Sequence, residues 1–329
     1  MKYQQLGNTD MQVSRISMGC WTLGGGPTWG DIDDAESSAT VQAALEAGVN
    51  FFDTAEGYGE GHSESVLGQA LEGRRHEAVI ATKVSRTHLA KEDVQKACEA
   101  SLQRLNTDYI DLYQIHWPSE TVPMSETFEA LEQLREQGKI RAIGVSNFGV
   151  QDLSDFLELG RCETNQLPYN LLWRAIEYGI SQQCRENNVG MLCYSALAQG
   201  LLTGRFASAD EVPEGRARTR YYSRHRPGVR HGEEGCEAEL FETLESIRQL
   251  CRKIDEPMSN VAIAWLLAQP GVSSVIAGAR TSEQIVQNIR AVDLKLSADI
   301  IAELNEMTSD IKQKLGPNPD MWSSESRYR

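Results

Sequence analysis

Four ionisable side chains fall where short apolar runs give out. Asp53 follows Asn50-Phe51-Phe52, Lys83 follows Ala78-Val79-Ile80-Ala81-Thr82, and His116 follows Asp111-Leu112-Tyr113-Gln114-Ile115. Tyr58 lies just beyond Asp53 in Asp53-Thr54-Ala55-Glu56-Gly57-Tyr58-Gly59. Singly, each has a plain structural reading: a helix cap, a surface tyrosine in a glycine loop, a lysine stem laid on apolar surface, a satisfied core histidine. Together they say more. The ends of three consecutive parallel strands would bring all four into one small volume, where a buried Asp and Lys are tolerated mainly as a pair. Such a set suits proton transfer to a carbonyl oxygen. A phenol with an ordinary pKa of about 10 is a poor acid at neutral pH, and an ammonium beside it favours the phenolate and eases release of the proton. Lys83 can supply that charge, Asp53 can keep Lys83 charged, and a neutral His116 can orient the carbonyl. No side chain donates hydride, so reduction by this set needs a nicotinamide. The same Lys83, with its pKa lowered in an apolar barrel, could instead attack a carbonyl as a Schiff-base lyase would.

These residues need a scaffold that presents strand ends. Short β-rich runs alternate with longer amphipathic stretches along the chain, the pattern of repeated βα units around a parallel sheet. Strands are predicted at Ile16–Gly19, Asn50–Asp53, Val79–Thr82, Ile110–Ile115, Ala142–Val145, Thr164–Leu167, Gly190–Tyr194 and Ser274–Ile276. Helices are predicted at Asp34–Glu46, Ser63–Leu71, Lys91–Leu105, Ser125–Gln137, Gln151–Leu159, Ser181–Asn187, one longer segment from Glu237 through Ala268, and Ser282–Ala291, with Gly48, Gly73, Gly138 and Gly160 as left-handed helix ends. A doubly wound sheet would announce its nucleotide site with G-x-G-x-x-G after the first strand, and neither Gly24-Gly25-Gly26 nor Gly57-Tyr58-Gly59-Glu60-Gly61-His62 fits. The prediction is an α/β fold, a closed (β/α)8 TIM barrel. A hairpin of Lys2–Leu6 and Gln12–Arg15 caps its bottom, a long loop follows the seventh strand, and residues 1–329 form a single domain.

Composition narrows the function classes. The chain has 329 residues, 32 basic and 47 acidic, for a formal charge of −15, which speaks against a nucleic-acid scaffold. Seven scattered cysteines without a C-x-x-C pair or a His/Cys cluster read as reduced thiols with no metal site. No apolar run reaches the roughly 18 residues of a membrane span, and the N-terminus lacks an apolar signal core. The expectation is a cytoplasmic protein acting on a small molecule, with an oligomer open.

Asp53-Thr54-Ala55-Glu56-Gly57-Tyr58-Gly59, Lys83, Ile115-His116-Trp117 and Gly144-Val145-Ser146-Asn147-Phe148 closely resemble the aldo-keto reductase family, from about Tyr3 to about Leu304. Gly61-His62-Ser63-Glu64, Leu105-Asn106-Thr107-Asp108-Tyr109-Ile110-Asp111-Leu112 and Gly138-Lys139-Ile140-Arg141 are most similar to the bacterial branch allied to the potassium-channel β-subunits. The resemblance implies NADP(H) lying across the strand ends, with Tyr58 as general acid, Lys83 and Asp53 as its tuners and His116 as orienter. It places Ser146, Asn147 and Gln166 on the nicotinamide amide, Tyr194 on the ring, and Ser195, Leu197, Gly200, Leu202 and Gly204 along the pyrophosphate. Trp21 would lie beside the nicotinamide and Trp117 beside the substrate. The loop after the last strand, Ile276-Ala277-Gly278-Ala279-Arg280-Thr281, enters a helix N-terminus suited to a phosphate, with Arg280 able to pair with the 2′-phosphate. Gln284, Gln287 and Asn288 would hold the adenosine, although relatives often carry Glu where Gln287 stands. The implied activity is reversible NADPH-dependent reduction of an aldehyde, ketone or sugar carbonyl. The alternatives are a non-catalytic NADP(H)-sensing partner subunit and the Lys83 lyase.

One segment stands apart. Gly215–His231 packs Arg216, Arg218, Arg220, Arg224, Arg226 and Arg230 into one loop of an acidic protein. The plain reading is a solvated loop paired with acidic neighbours, or a subunit contact. The functional one is a lid over the cofactor pyrophosphate or a cradle for an anionic substrate.

Overall fold

The computed structural model describes residues 1–26 and 29–329. The hairpin of β1 (Tyr3–Gln5) and β2 (Gln12–Ser14) precedes eight further strands. These are β3 (Ile16–Gly19), β4 (Phe51–Asp53), β5 (Val79–Val84), β6 (Ile110–Ile115), β7 (Ile140–Ser146), β8 (Thr164–Pro168), β9 (Gly190–Tyr194) and β10 (Val272–Gly278). They close into an all-parallel barrel in the order β10-β3-β4-β5-β6-β7-β8-β9. Helices cover the outer face, so the strands read as near-continuous apolar runs.

Inside the barrel the side chains alternate with a period of two. One layer is apolar: Phe51, Ala81, Leu112, Ala142, Leu192 and Ile276 pack with Leu6, Met11 and Val13 from the hairpin, which plugs the bottom. Two residues further along each strand the inward positions turn polar or small: Asp53, Lys83, Gln114, Gly144, Tyr194 and Gly278. Asp53 pairs with Ala81 and Lys83 with Gln114, and the strand tilt carries the polar layer round the barrel. Ser146 lies opposite Gln166 in the same way. The site is therefore the upper inner layer of the barrel, at the end where such folds keep their chemistry.

The helices are α1 (Asp34–Glu46), α2 (His62–Ala70), α3 (Lys91–Leu105), α4 (Met124–Glu136), α5 (Val150–Leu159), α6 (Ile180–Glu186), α7 (Glu237–Lys253), α8 (Met258–Leu267), α9 (Ser282–Ile289), α10 (Ala298–Met307) and α11 (Ser309–Leu315). The single long helix expected from Glu237 is two. Asp255 takes φ 54° and Pro257 stands at the N-cap of α8, a pair no continuous helix accommodates. The sequence reading assigned no element to residues 298–315, which form α10 and α11. Gly48, Gly73 and Gly138 take the expected positive φ, but Gly160 is extended at φ 167°. What requires glycine there is space, because a Cβ would come 2.3 Å from the Phe128 ring. All seven cysteines are buried and unpaired. No helix among the described residues is long and apolar enough to cross a membrane.

Candidate functional site

Lys83 is completely buried at the end of β5, and its three ammonium protons all have acceptors. It donates to Asp53 Oδ1 at 2.7 Å, to the Thr54 carbonyl at 2.7 Å and to the Tyr58 hydroxyl at 3.3 Å. The second oxygen of Asp53 accepts from Gln166 Nε2 at 2.6 Å and Gln114 Nε2 at 3.5 Å. This carboxylate is thus fixed from three strands, and Lys83 reaches the cavity only through Asp53 and Tyr58. The Tyr58 loop is pressed onto the loop after β3 at Gly59, which has φ 59° and whose Cβ would meet the Gly24 carbonyl at 2.4 Å. Tyr58 stands between Trp21 (6.1 Å between centroids) and His116 (5.7 Å), with the Lys83 ammonium 4.9 Å from its ring centroid.

The electrostatics correct one expectation. Burial raises the Tyr58 pKa by more than the Lys83 charge lowers it, so the net direction is above the ordinary phenol value. Tyr58 is therefore a firmly protonated donor, not a depressed acid. For Lys83, burial alone would favour the neutral amine, but Asp53, followed by Tyr58, carries its pKa above the ordinary value. His116 goes down to about 3, through burial first and the Lys83 charge second, so its imidazole is neutral.

Asn147 follows β7 with φ 63°, a conformation Asn adopts more readily than most residues. Its Nδ2 donates to the His116 carbonyl and to Ser146 Oγ, each at 3.0 Å. Its Oδ1 accepts from the hydroxyls of Tyr194 at 2.8 Å and Tyr328 at 2.6 Å. All four positions of this amide are taken by protein, so a nicotinamide contact through the Asn147 side chain, on the cavity lining, would exchange one of these bonds. Ser146 Oγ donates to the Gln166 carbonyl at 3.1 Å and keeps acceptor capacity, while Gln166 binds Asp53 through nitrogen only, leaving its side-chain oxygen for a donor.

These groups open on a cavity of about 1130 Å³. Trp21, Trp117, Ser195, Leu197, Gly200, Gly278, Arg280, Gln284, Gln287 and Asn288 line it. Leu202 and Gly204 do not. Leu202 is fully buried in the core, and Gly204 ends the 3-10 turn at φ 77° packed on Met258. Before that turn's end, Ser195, Ala198 and Gln199 take positive φ, backbone strain of the kind that gathers at functional sites, and Gly200 shares the region without strain. Gln199 lines the cavity, and both polar atoms of its amide are buried without a partner among the described residues. Nothing in the linear sequence marks Gln199. The same holds for Trp29, Trp322 and Arg327, cavity-lining residues that come from a short loop and a distant tail with no spacing to mark them.

The arginine loop divides. Arg220 is buried, pairs with Glu233 and donates to the carbonyls of Leu315, Asn318 and Asp320, so it anchors the C-terminal segment instead of facing the cavity. Arg226 pairs with Glu237 and Asp210, and Arg224 with Glu234. Arg216, Arg218 and Arg230 line the cavity with Arg205 and Arg280. Arg216 lies near both Arg205 and Arg280, and its pKa is lowered by burial and then by those two charges. Glu283 is the carboxylate on the lining near Arg280. A cavity of this volume, lined by arginines, the Ser195–Gly200 turn and the Gln199 amide as well as by Tyr58 and His116, fits a dinucleotide.

Comparison with known proteins agrees. Residues 15–309 match the model of the Aldo/keto reductase family. The chain is 34% identical to the "NADH-specific methylglyoxal reductase" of Escherichia coli (strain K12), over 95% of this chain and 100% of that protein. It is 29% identical to a "Probable voltage-gated potassium channel subunit beta" of Oryza sativa subsp. japonica, over 89% and 92%. Among solved structures it is similar to an aldo-keto reductase from Klebsiella pneumoniae in complex with NADPH, at TM-score 0.75 and 30% identity, covering 93% of this chain and 95% of that one. With the barrel, the ordered motifs and the strand-end cluster all in place, the chain belongs to the aldo/keto reductase family of oxidoreductases.

Proposed function

We propose that this protein reduces an aldehyde, ketone or sugar carbonyl with a nicotinamide cofactor, NADPH in preference to NADH, and that Tyr58 delivers the proton. The observation that carries the reading is the hydrogen-bonded chain Asp53–Lys83–Tyr58, which opens on a cavity also lined by a neutral His116. The cofactor, when bound, supplies the hydride. Ser146 and Gln166 would hold its carboxamide, Tyr194 would serve its ring, and the Arg205, Arg216 and Arg280 group with the Ser195–Gly200 turn would take its phosphates. Trp21, Trp117 and His116 shape the place of the carbonyl, and His116 donates to its oxygen without carrying charge. As the alkoxide forms, the Tyr58 proton passes to it, and the Lys83 ammonium offsets the charge left on the phenol oxygen.

A Schiff-base role for Lys83 is disfavoured by its raised pKa and by its three occupied donors. A purely sensing role would leave the tetrad without use. The test is a panel of aldehydes, ketones and sugars, methylglyoxal included, followed by absorbance of the reduced cofactor. Turnover of at least one carbonyl is expected. Cofactor binding without turnover would favour a sensor, and a borohydride-trapped adduct on Lys83 a lyase.

The pH dependence follows from the two shifts. A His116 that protonates only near pH 3 gives no acid limb, and a Tyr58 pKa above its ordinary value keeps the acid protonated in the neutral range. The kcat/KM for reduction is expected to be flat from about pH 5 to about pH 9 and to fall only above about pH 10, where the phenol ionises. An inflection near pH 6.5, at the ordinary histidine value, would show that His116 titrates in the working enzyme.

A further inference from the structure

The C-terminal segment lines the cavity with Trp322, Ser323 and Arg327 and reaches Asn147 through Tyr328. Asp320 is fully buried, caps the backbone NH groups of Trp322 and Ser323 and holds Arg327 by two bonds of 2.6 and 2.9 Å. Two residues on, the Arg329 guanidinium pairs with Asp152, and the Arg329 carbonyl accepts from the NH groups of Gln151 and Asp152 in the first turn of α5. Gly149 makes room for this docking, since a Cβ there would meet the Arg329 carbonyl at 2.2 Å. Between these two anchors lies Tyr328, buried, with its ring edge-on to Trp117 at 5.4 Å and its hydroxyl 2.6 Å from Asn147 Oδ1.

Asn147 ties together three groups the proposed reaction uses: the His116 carbonyl, Ser146 Oγ and the Tyr194 hydroxyl. Its amide cannot be turned over at no cost, because the His116 carbonyl is only an acceptor and would then face Oδ1. With the orientation set, Oδ1 depends on its two tyrosine donors, one of which comes from 181 residues away in sequence.

We propose that Tyr328 is a positioning residue for the nicotinamide end of the site, acting through Asn147. The proposal rests on the reading of this cavity as a nicotinamide site. The hydroxyl of Tyr328 holds Asn147 Oδ1, Asn147 holds Ser146, Tyr194 and the His116 backbone in register, and the tail anchors hold Tyr328. The C-terminal segment is in this way a wall of the cofactor site as well as of the substrate site.

The test is a double-mutant cycle on full-length protein, read as the Kd of NADPH and of NADH from reduced-cofactor fluorescence. Tyr328→Phe keeps the ring on Trp117 and removes only the hydroxyl. It is expected to raise the Kd about 5–10-fold, the worth of one hydrogen bond, with the carbonyl KM changed by less than about twofold. In an Asn147→Ala background the same substitution is expected to lose most of its effect, keeping only what the Tyr328 hydroxyl gives through the adjacent Tyr194 hydroxyl. Tyr328→Leu, which also strips the ring from Trp117, is expected to raise the carbonyl KM as well. A Tyr328→Phe protein that binds cofactor as tightly as wild type, or one whose full effect persists without Asn147, overturns the proposal. Wild-type protein that binds neither NADPH nor NADH overturns the functional reading, and the proposal with it.

Discussion

Tyr58→Phe is expected to lower turnover by about 100-fold or more, the range for removal of a general acid, while cofactor Kd stays within about twofold. The structure makes this a clean substitution. A phenylalanine ring keeps the contacts with Trp21 and His116 and the Lys83 ammonium near its face. Lys83 loses its longest bond, at 3.3 Å, and retains Asp53 and the Thr54 carbonyl at 2.7 Å each. The buried ion pair stays intact, and the rate change can be assigned to the proton. Changing Lys83 is a blunter probe, because it strands Asp53 as a buried charge, a defect that commonly costs about 3–5 kcal/mol of stability. The measurement is single-turnover reduction of the best carbonyl with pre-bound cofactor. A Phe variant that reduces it at near the wild-type rate would remove Tyr58 from the role of acid.

The second large effect concerns cofactor choice. Arg280→Ala is expected to raise the Kd of NADPH about 10–100-fold, the equivalent of about 1.5–3 kcal/mol for a charge-assisted contact, and to leave NADH nearly unchanged. Arg280 stands at the start of α9, close to Arg216, and the 2′-phosphate is the group by which the two cofactors differ. Glu283 on the same lining pulls the other way, since a carboxylate suits a free ribose hydroxyl and repels a phosphate. Six arginines line the cavity against two acids, Asp53 and Glu283, of which Asp53 is already paired with Lys83, and this balance decides the expected preference. Arg280 also donates to the Asp31 carbonyl, so a purely supporting role for the loop is the competing outcome. Parallel fluorescence titrations with both cofactors separate the two. Equal weakening of NADPH and NADH would assign Arg280 to loop support, and tighter NADH than NADPH in the unmodified protein would show Glu283 prevailing.

Much of this molecule was legible in the linear chain. β6 and β9 fall at the predicted residues because each is an apolar run bounded by a helix-ending signal on one side and a polar group on the other. The gathering of Asp53, Tyr58, Lys83 and His116 was readable for the same reason, since in a parallel barrel the ends of consecutive strands are neighbours. Where local signals were weak or contradicted, tertiary context decided. The apolar periodicity from Glu237 to Ala268 looked continuous, yet a left-handed Asp255 and Pro257 divide it into α7 and α8.

Charge signs were visible in the sequence, but their assignments were not. Arg216 and Arg220 stand four residues apart in the same loop, yet one lines the cavity and the other holds the tail, because burial against Trp173 and the C-terminal carbonyls selects Arg220. The direction of the Tyr58 shift was likewise undetermined, since the sequence names the charge beside the phenol but not the desolvation that outweighs it. The chain by itself determined the barrel and the set of groups at its mouth, through short-range patterning that survives without knowledge of the fold. Only the tertiary structure determined that Asn147 Oδ1 is held by Tyr194 and Tyr328, that Gln199 is left without a partner among the described residues, and that the C-terminal segment walls the site. Those facts depend on contacts between residues far apart in sequence, where no local propensity or spacing carries information.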